Sequence, residues 1–549
     1  MLNPGVPEPH GSHFETQSLP AIDEEREALG DALTRPPPRS LLAYSPLFVV
    51  VIILIADSRR IADPDLWGHI HFGQSMLSSW RVPRLDPYSY TAPGHQWLDH
   101  EYLSEVVAAF AYKHLGIIGL KLWKLGCTSA VVVFAVLAMG ETGASVQIQL
   151  SALLLAAVAI VPQMQFRPQL HTFAMFAAML AILARHNYRG KARLWILVPM
   201  MLLWVNLHGG FIVGCASLGF YTATIGLSDW IDGRGLQRFK TLVLISGACT
   251  LTTVMTPYGL GTWETVLHTL NNAATRKLIM DWQPLTLAIE HQWQFSRTGT
   301  VAYGCGLTVI IAAAIAFAFA PHGDDAPLVV IAAALTIAGF VAVRNFPLAV
   351  IACLTPLVRH VDLSLANCAP RSQRVLAHSA ADQPRAARWI LVGVAAAFAC
   401  WTGLLTNRLR CDPAYPSGAV DFMRAHSLSG NILSEFHWGE YLIWHTGSKS
   451  KLFMDNRYDM VYPAEVINDH VAFSFALPGA AKVLRDYPND FVLISPNAIA
   501  YDLVAAQSGR WKLIYRDADS ALFARAELPA AHLAGVPITG TSPPLQYFP

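Results

Sequence analysis

Long apolar runs separated by short polar turns dominate this sequence. They fall at approximately 41–56, 118–139, 147–163, 169–185, 192–207, 211–228, 240–256, 299–320, 326–343, 345–358 and 388–406, about eleven in all. Hydrocarbon offers no partner to a backbone N–H or C=O, so such runs must pair those groups internally and become helices. Several runs are nearer 15 than 20 residues. That is short for a hydrocarbon core of about 30 Å, so boundaries can shift and two runs are candidates for re-entrant segments. Charged residues are 14% of the 549 and hydrophobic ones 53%, against about 25% charged in a soluble domain. The net charge of +1 gives no reason to expect a nucleic-acid partner. Six of the eight cysteines lie inside apolar runs and none forms a CxxC pair, which marks packing residues rather than a disulfide framework.

The expected architecture is an α-helical polytopic membrane protein with a C-terminal extracytoplasmic α/β domain. Residues 1–40 are polar, acidic and Pro-rich, a disordered cytoplasmic tail. Residues 41–406 are the multi-spanning part, with a large first external loop at 57–117 in which Glu101 to Leu115 reads as an interfacial amphipathic helix. Residues 407–549 are the outer domain. Strands are expected at 431–434, 451–454, 491–495, 512–516 and 521–524, alternating with helices, and the tail after Pro529 is expected to be irregular.

The loops sort by sidedness. Arg185 to Arg193, Gly233 to Lys240 and Arg359 to Arg388 hold clusters of basic residues, and an inside N-terminus puts all three on the cytoplasmic face. The opposite face then collects loop 57–117, the turns at Arg167, His208 and Arg344, loop 257–298 and the outer domain. These segments hold most of the His, Trp and paired acids outside the N-terminal tail.

Several clusters there have chemical content. Ala62-Asp63-Pro64-Asp65-Leu66-Trp67-Gly68-His69 sets two carboxylates one residue apart with an imidazole close behind. This suits a divalent cation or a single general base, and equally suits Asp65 capping a helix from Leu66 to about Trp80. Trp97-Leu98-Asp99-His100-Glu101 places three titratable groups at the mouth of the amphipathic helix, or simply caps it. Arg167, His171, His208 and Arg344 lie at span ends, where they either snorkel or form a basic rim for a lipid-linked phosphate. Asp281-Trp282 is a substrate wall or an interfacial anchor. Glu435 to Tyr441 and Met454 to Tyr458 each follow a strand, where groups of an α/β sheet line a cleft or stabilise the domain.

Together the motifs Asp63-Pro-Asp65-Leu-Trp-Gly-His69, Asp86-Pro-Tyr-Ser-Tyr90, Trp97-Leu-Asp-His-Glu101, Arg167-Pro-Gln169, Asn206-Leu-His-Gly209, Trp438-Gly-Glu-Tyr441 and Asp455-Asn-Arg457 resemble those of bacterial polytopic proteins related to the GT-C glycosyltransferases. Protein mannosyltransferase and aminoarabinose transferase types are examples. The resemblance covers about residues 41–525. It implies sugar transfer, with inversion, from a polyprenyl-phosphate donor to a saccharide, lipid or protein acceptor on the outer face of a bacterial inner membrane. Asp65 or Asp63 would be the catalytic base, or the ligands of a divalent cation such as Mg or Mn. Arg167, Arg344, His171 and His208 would neutralise the leaving phosphate. His69, Asp99, His100, Glu101 and Trp282 would contact substrate. Relatives carry adjacent Asp-Glu where this chain has Asp-Pro-Asp, so the resemblance leaves the base and the need for metal open. His437-Trp438-Gly439-Glu440-Tyr441 lacks the second Trp and the Asp of the oligosaccharyltransferase peptide-acceptor motif, so no peptide acceptor follows. A flippase would show mid-span charges or repeated broken helices, and the sequence shows neither. A non-catalytic glycolipid binder stays open.

Overall fold

The nine apolar runs between residues 118 and 358 all fold as helices. The computed structural model describes residues 61–272, 279–295, 297–320, 323–368, 408–411, 415–535 and 547–549. The expected tail 1–40 and the runs 41–56 and 388–406 lie outside these. Among the described residues, six helices are long and apolar enough to cross a membrane: Tyr102–Gly140, Val146–Gln163, Phe211–Ile231, Gly299–Phe319, Gly323–Val341 and Val343–Ala366. The helices Gln169–Arg189, Leu197–Leu207 and Gln237–Thr252 complete the bundle but are more polar or shorter, so the eleven expected spans are not all of spanning character.

Two features reshape the first loop. Helix Leu66–Ser79 ends at Trp80, which adopts a left-handed conformation. Helix Tyr102–Gly140 is interrupted at Gly116 (φ 56°, ψ −141°), a conformation open to glycine but not to L side chains. The expected interfacial helix 101–115 is therefore the first limb of a bent element whose second limb enters the bundle.

The bundle has two chemically distinct ends. At one, Arg189 pairs with Glu141 at 3.1 Å, Asn187 donates to the Asp324 carbonyl, and Arg359 donates to the Thr142 carbonyl. The loops near 140 and 322, which carry no Lys or Arg, thus supply acids and carbonyls to the basic loops beside them. The loops rich in His, Trp and acids gather at the other end, beneath the outer domain.

The outer domain is a five-stranded mixed sheet of order β4-β3-β5-β7-β6. Strands β3 (Asn431–Ser434), β4 (Lys451–Leu452) and β5 (Phe491–Ile494) are parallel; β6 (Trp511–Arg516) and β7 (Ala521–Arg525) join antiparallel. The first loop docks on its edge, where the Leu452 N–H donates to the Tyr88 carbonyl and the Tyr90 N–H to the Leu452 carbonyl. A second, three-stranded sheet joins β1 (Ile61–Ala62), β2 (Leu409–Cys411) and β8 (Tyr547–Phe548). The end of the chain is thus not irregular throughout. Phe548 packs on Trp67 with ring centroids 4.3 Å apart, and Trp67 is also boxed by Tyr415, Tyr441 and Trp444.

Candidate functional site

The β1 strand delivers Asp63 and Asp65 to the mouth of the bundle. Asp65 occupies the N-cap position of helix Leu66–Ser79, yet its side chain makes no capping bond. Its Oδ2 lies 3.0 Å from Arg167 Nη2, and its Oδ1 accepts from Asn456 Nδ2 at 2.7 Å. Asp63 is buried behind it, with Oδ1 accepting the Asp65 N–H and Oδ2 2.8 Å from Arg167 Nε. Burial raises the Asp63 carboxyl to about 6, against the pull of Arg167. The third contact of Arg167 is Asp281, at 2.8 Å. Burial alone would lower the Arg167 pKa, but these three carboxylates hold it well above the ordinary value.

A polar cleft opens in front of Asp65, between the bundle and the outer domain. His69, Asp99, His100, Glu101, Arg167, His208, Trp282 and Arg344 all line it with Asp65. His69 Nδ1 meets Glu105 at 2.9 Å and His208 Nε2 meets Glu101 at 3.2 Å. The His208 Nδ1 accepts the Gly210 N–H at 2.8 Å, so Nε2 carries the proton of the neutral ring. Burial lowers His69 and His100 and takes His208 well below the ordinary imidazole value. Burial also raises Asp99 and Glu101. Arg344 stacks its guanidinium 4.2 Å from the Trp282 ring centroid and makes no ion pair among the described residues.

His171 is placed elsewhere. It is not among the residues lining the cleft and is bonded to Ser104 Oγ and Trp123 Nε1. The carboxylate pair also does not fit a divalent cation. The Arg167 guanidinium already bridges Asp63 and Asp65, and among the described residues no three His, Cys, Asp or Glu side chains converge as metal ligands.

The structure adds residues to the cleft. Glu105 comes from the helix read as interfacial, and Glu440, Asn456, Arg457, Tyr458 and Asp459 come from the outer domain. Glu440 Oε2 accepts the Gly68 N–H at 3.0 Å. A Cβ at Gly68 would lie 2.3 Å from that carboxyl, which is why the helix carries glycine there. Arg457 is buried and pairs with Asp86 at 2.8 Å and Asp455 at 2.6 Å, over the rings of Trp97, Tyr88 and Phe72. The motifs Asp86-Pro-Tyr-Ser-Tyr90 and Asp455-Asn-Arg457 are therefore two halves of one lock between loop and domain. Glu440 and Asn456 are legible as strand-end polar groups, but nothing local says which loop they meet.

A second, largely apolar groove continues from the cleft into the bundle. It is lined by Phe173, Ile212, Val213, Leu335 and Leu348, and it shares His100, Gln169, His208, Thr269, Trp282 and Arg344 with the polar cleft.

No family model matches the sequence, and no curated protein matches it. Solved structures do. The apo oligosaccharyltransferase of Archaeoglobus fulgidus superposes with a TM-score of 0.50 at 12% identity, over 82% of this chain and 70% of that one. ArnT of Cupriavidus metallidurans, bound to undecaprenyl phosphate, gives 0.44 at 14% identity, over 90% of this chain and 99% of that one. The arabinofuranosyltransferase AftD from Mycobacteria gives 0.49 at 13% identity, over 89% of this chain and 40% of that one. At this level of identity the likeness to the oligosaccharyltransferase is one of fold.

Proposed function

We propose that this protein is an integral-membrane glycosyltransferase that takes a sugar from a polyprenyl-phosphate donor and passes it to a hydroxyl acceptor. One observation carries the proposal: a carboxylate-lined polar cleft runs into an apolar groove between membrane helices, and Arg344 stands at the junction. A polyprenyl tail suits the groove, its phosphate the junction, and its sugar the polar cleft.

Asp65 is the base, since it faces the cleft while Asp63 is buried behind it. The acceptor oxygen gives its proton to Asp65 and attacks the anomeric carbon. The bond from that carbon to the phosphate oxygen breaks, and the phosphate leaves with the electron pair. Arg344 faces that developing charge, where a fixed donor acts most strongly, and His208, whose Nε2–H is held by Glu101, lies beside it. Arg167 and Asp63 hold Asp65 in place. His69, Asp99, His100, Glu101 and Trp282 line the space left for the sugar and acceptor.

The test uses the purified protein and a panel of undecaprenyl-phosphate sugars. Asp65→Asn is expected to cut transfer by about 100-fold or more while leaving lipid-phosphate binding intact. Arg344→Ala is expected to weaken undecaprenyl phosphate binding about tenfold or more. Undiminished transfer by Asp65→Asn would sink the assignment, and binding without any turnover by the parent protein would make it a glycolipid binder.

A further inference from the structure

A cavity of about 500 Å³ in the outer domain belongs neither to the base nor to the donor groove. It sits at the carboxyl ends of the three parallel strands. Glu435 and Phe436 follow β3, Met454 follows β4, and Ser495 and Asn497 follow β5. Ligands of open α/β sheets bind at this edge. The cavity meets the polar cleft at two shared residues, Ile279 and Tyr458.

Tyr458 is the informative one. It is only 4% exposed, and its hydroxyl has no hydrogen-bond partner among the described residues. Its backbone lies at φ 45°, a left-handed conformation that a bulky residue rarely adopts. A buried, unpartnered hydroxyl on a strained turn, on the wall between two cavities, is a donor waiting for a ligand.

The rest of the lining restricts that ligand. It contains no Lys or Arg, so a phosphate or carboxylate has nothing to pair with. The Glu435 carboxylate is already engaged, with Oε1 accepting the Ser495 N–H at 2.6 Å and Oε2 3.7 Å from His437. A cation would have to break that arrangement. Phe436 and Phe473 offer apolar faces, and Tyr458, His437 and Asn497 offer polar groups. Aromatic faces interleaved with hydroxyl, imidazole and amide match a neutral ring with one apolar face and several hydroxyls.

We infer that this cavity is the acceptor site and that it takes a neutral saccharide, whose reactive hydroxyl reaches Asp65 past Tyr458. The inference rests on the transferase reading above. The acceptor's sugar ring lies on Phe436 and Phe473, and the Tyr458 hydroxyl bonds the portion that enters the cleft.

The experiment is equilibrium dialysis of the full-length protein in nanodiscs against 4-nitrophenyl glycosides of glucose, galactose, mannose, N-acetylglucosamine and arabinose. Octanoate serves as the apolar-chain competitor. At least one glycoside is expected to bind the parent and to resist octanoate. Filling the cavity with Ala498→Trp should weaken it about tenfold or more. Tyr458→Phe, which removes only the hydroxyl, should weaken it about fivefold. Undecaprenyl phosphate binding, measured on the same samples, should be unchanged in Ala498→Trp, and an unshifted Tm shows that Tyr458→Phe is folded. Three outcomes overturn the inference: no glycoside binds, octanoate displaces the glycoside, or Ala498→Trp leaves its affinity unchanged. A parent protein that binds a glycoside but not undecaprenyl phosphate would remove the donor reading and leave the saccharide site standing.

Discussion

The guanidinium of Arg167 touches Asp63 and Asp65 on one loop and Asp281 on another, all within 3.0 Å. A planar fork can serve three carboxylates at once; a lysine ammonium is a single point and cannot hold that geometry. Arg167→Lys is therefore expected to lower sugar transfer by roughly 100-fold through misplacement of Asp65, while lipid-phosphate binding persists; parent-level transfer would remove Arg167 from its positioning role. Asp63 makes a pH prediction. Burial raises its pKa from 3.8 to about 6. The folded state thus holds the proton more tightly than the unfolded chain. The stability this provides is complete below 3.8 and is lost as the pH rises through about 6. Asp63→Asn should flatten the dependence of Tm on pH across that window, as read by thermal melts in detergent. An unchanged slope would show that another group is responsible. The carboxylate pair was legible in the sequence as a unit. Its partner was not, because Arg167 lies on another loop, as does Asp281, 114 residues from Arg167, and only tertiary packing joins them.

The lock around Arg457 operates between elements. Asp86 belongs to a turn that also accepts the Tyr88 and Ser89 N–H groups, and Asp455 follows a strand of the outer domain. Arg457→Ala would leave two buried carboxylates without their cation, a loss of about 3–5 kcal/mol. It is expected to lower Tm and to expose the loop between Trp80 and Trp97 to limited proteolysis; an unaltered digestion pattern would contradict the lock. Helices and strands were largely readable here, since apolar runs and strand alternation report local burial. Bends and partners were less so. Gly116 sits in a sequence that reads as two segments, and nothing local says that they form one bent element. His171 has the residue type and span-end position of a phosphate ligand, yet its neighbours Ser104 and Trp123 absorb both ring nitrogens. Glu105 looked like one residue of an amphipathic surface and is instead buried against His69.

At the scale of the whole molecule, charge is sorted to two ends. Basic loops and their acid partners close one end, and the candidate site with its outer domain caps the other. The positive-inside rule puts the basic end in the cytoplasm; on that expectation a membrane-impermeant maleimide applied to spheroplasts should label Ser427→Cys in the outer domain and spare Lys240→Cys at the opposite end, both exposed positions. The reverse pattern would invert the topology. The three-stranded sheet adds a constraint of timing. Strand β1, which presents Asp63 and Asp65, pairs with β2 near residue 410, and β2 pairs with β8 at residues 547–548. Phe548 in turn packs on Trp67, in the helix that begins beside Asp65. A protein made from its N-terminus inserts its helices long before those last strands emerge. The sheet that carries Asp63 and Asp65 is therefore complete only after synthesis has passed residue 548, so a nascent chain holds the proposed base on an unfinished sheet.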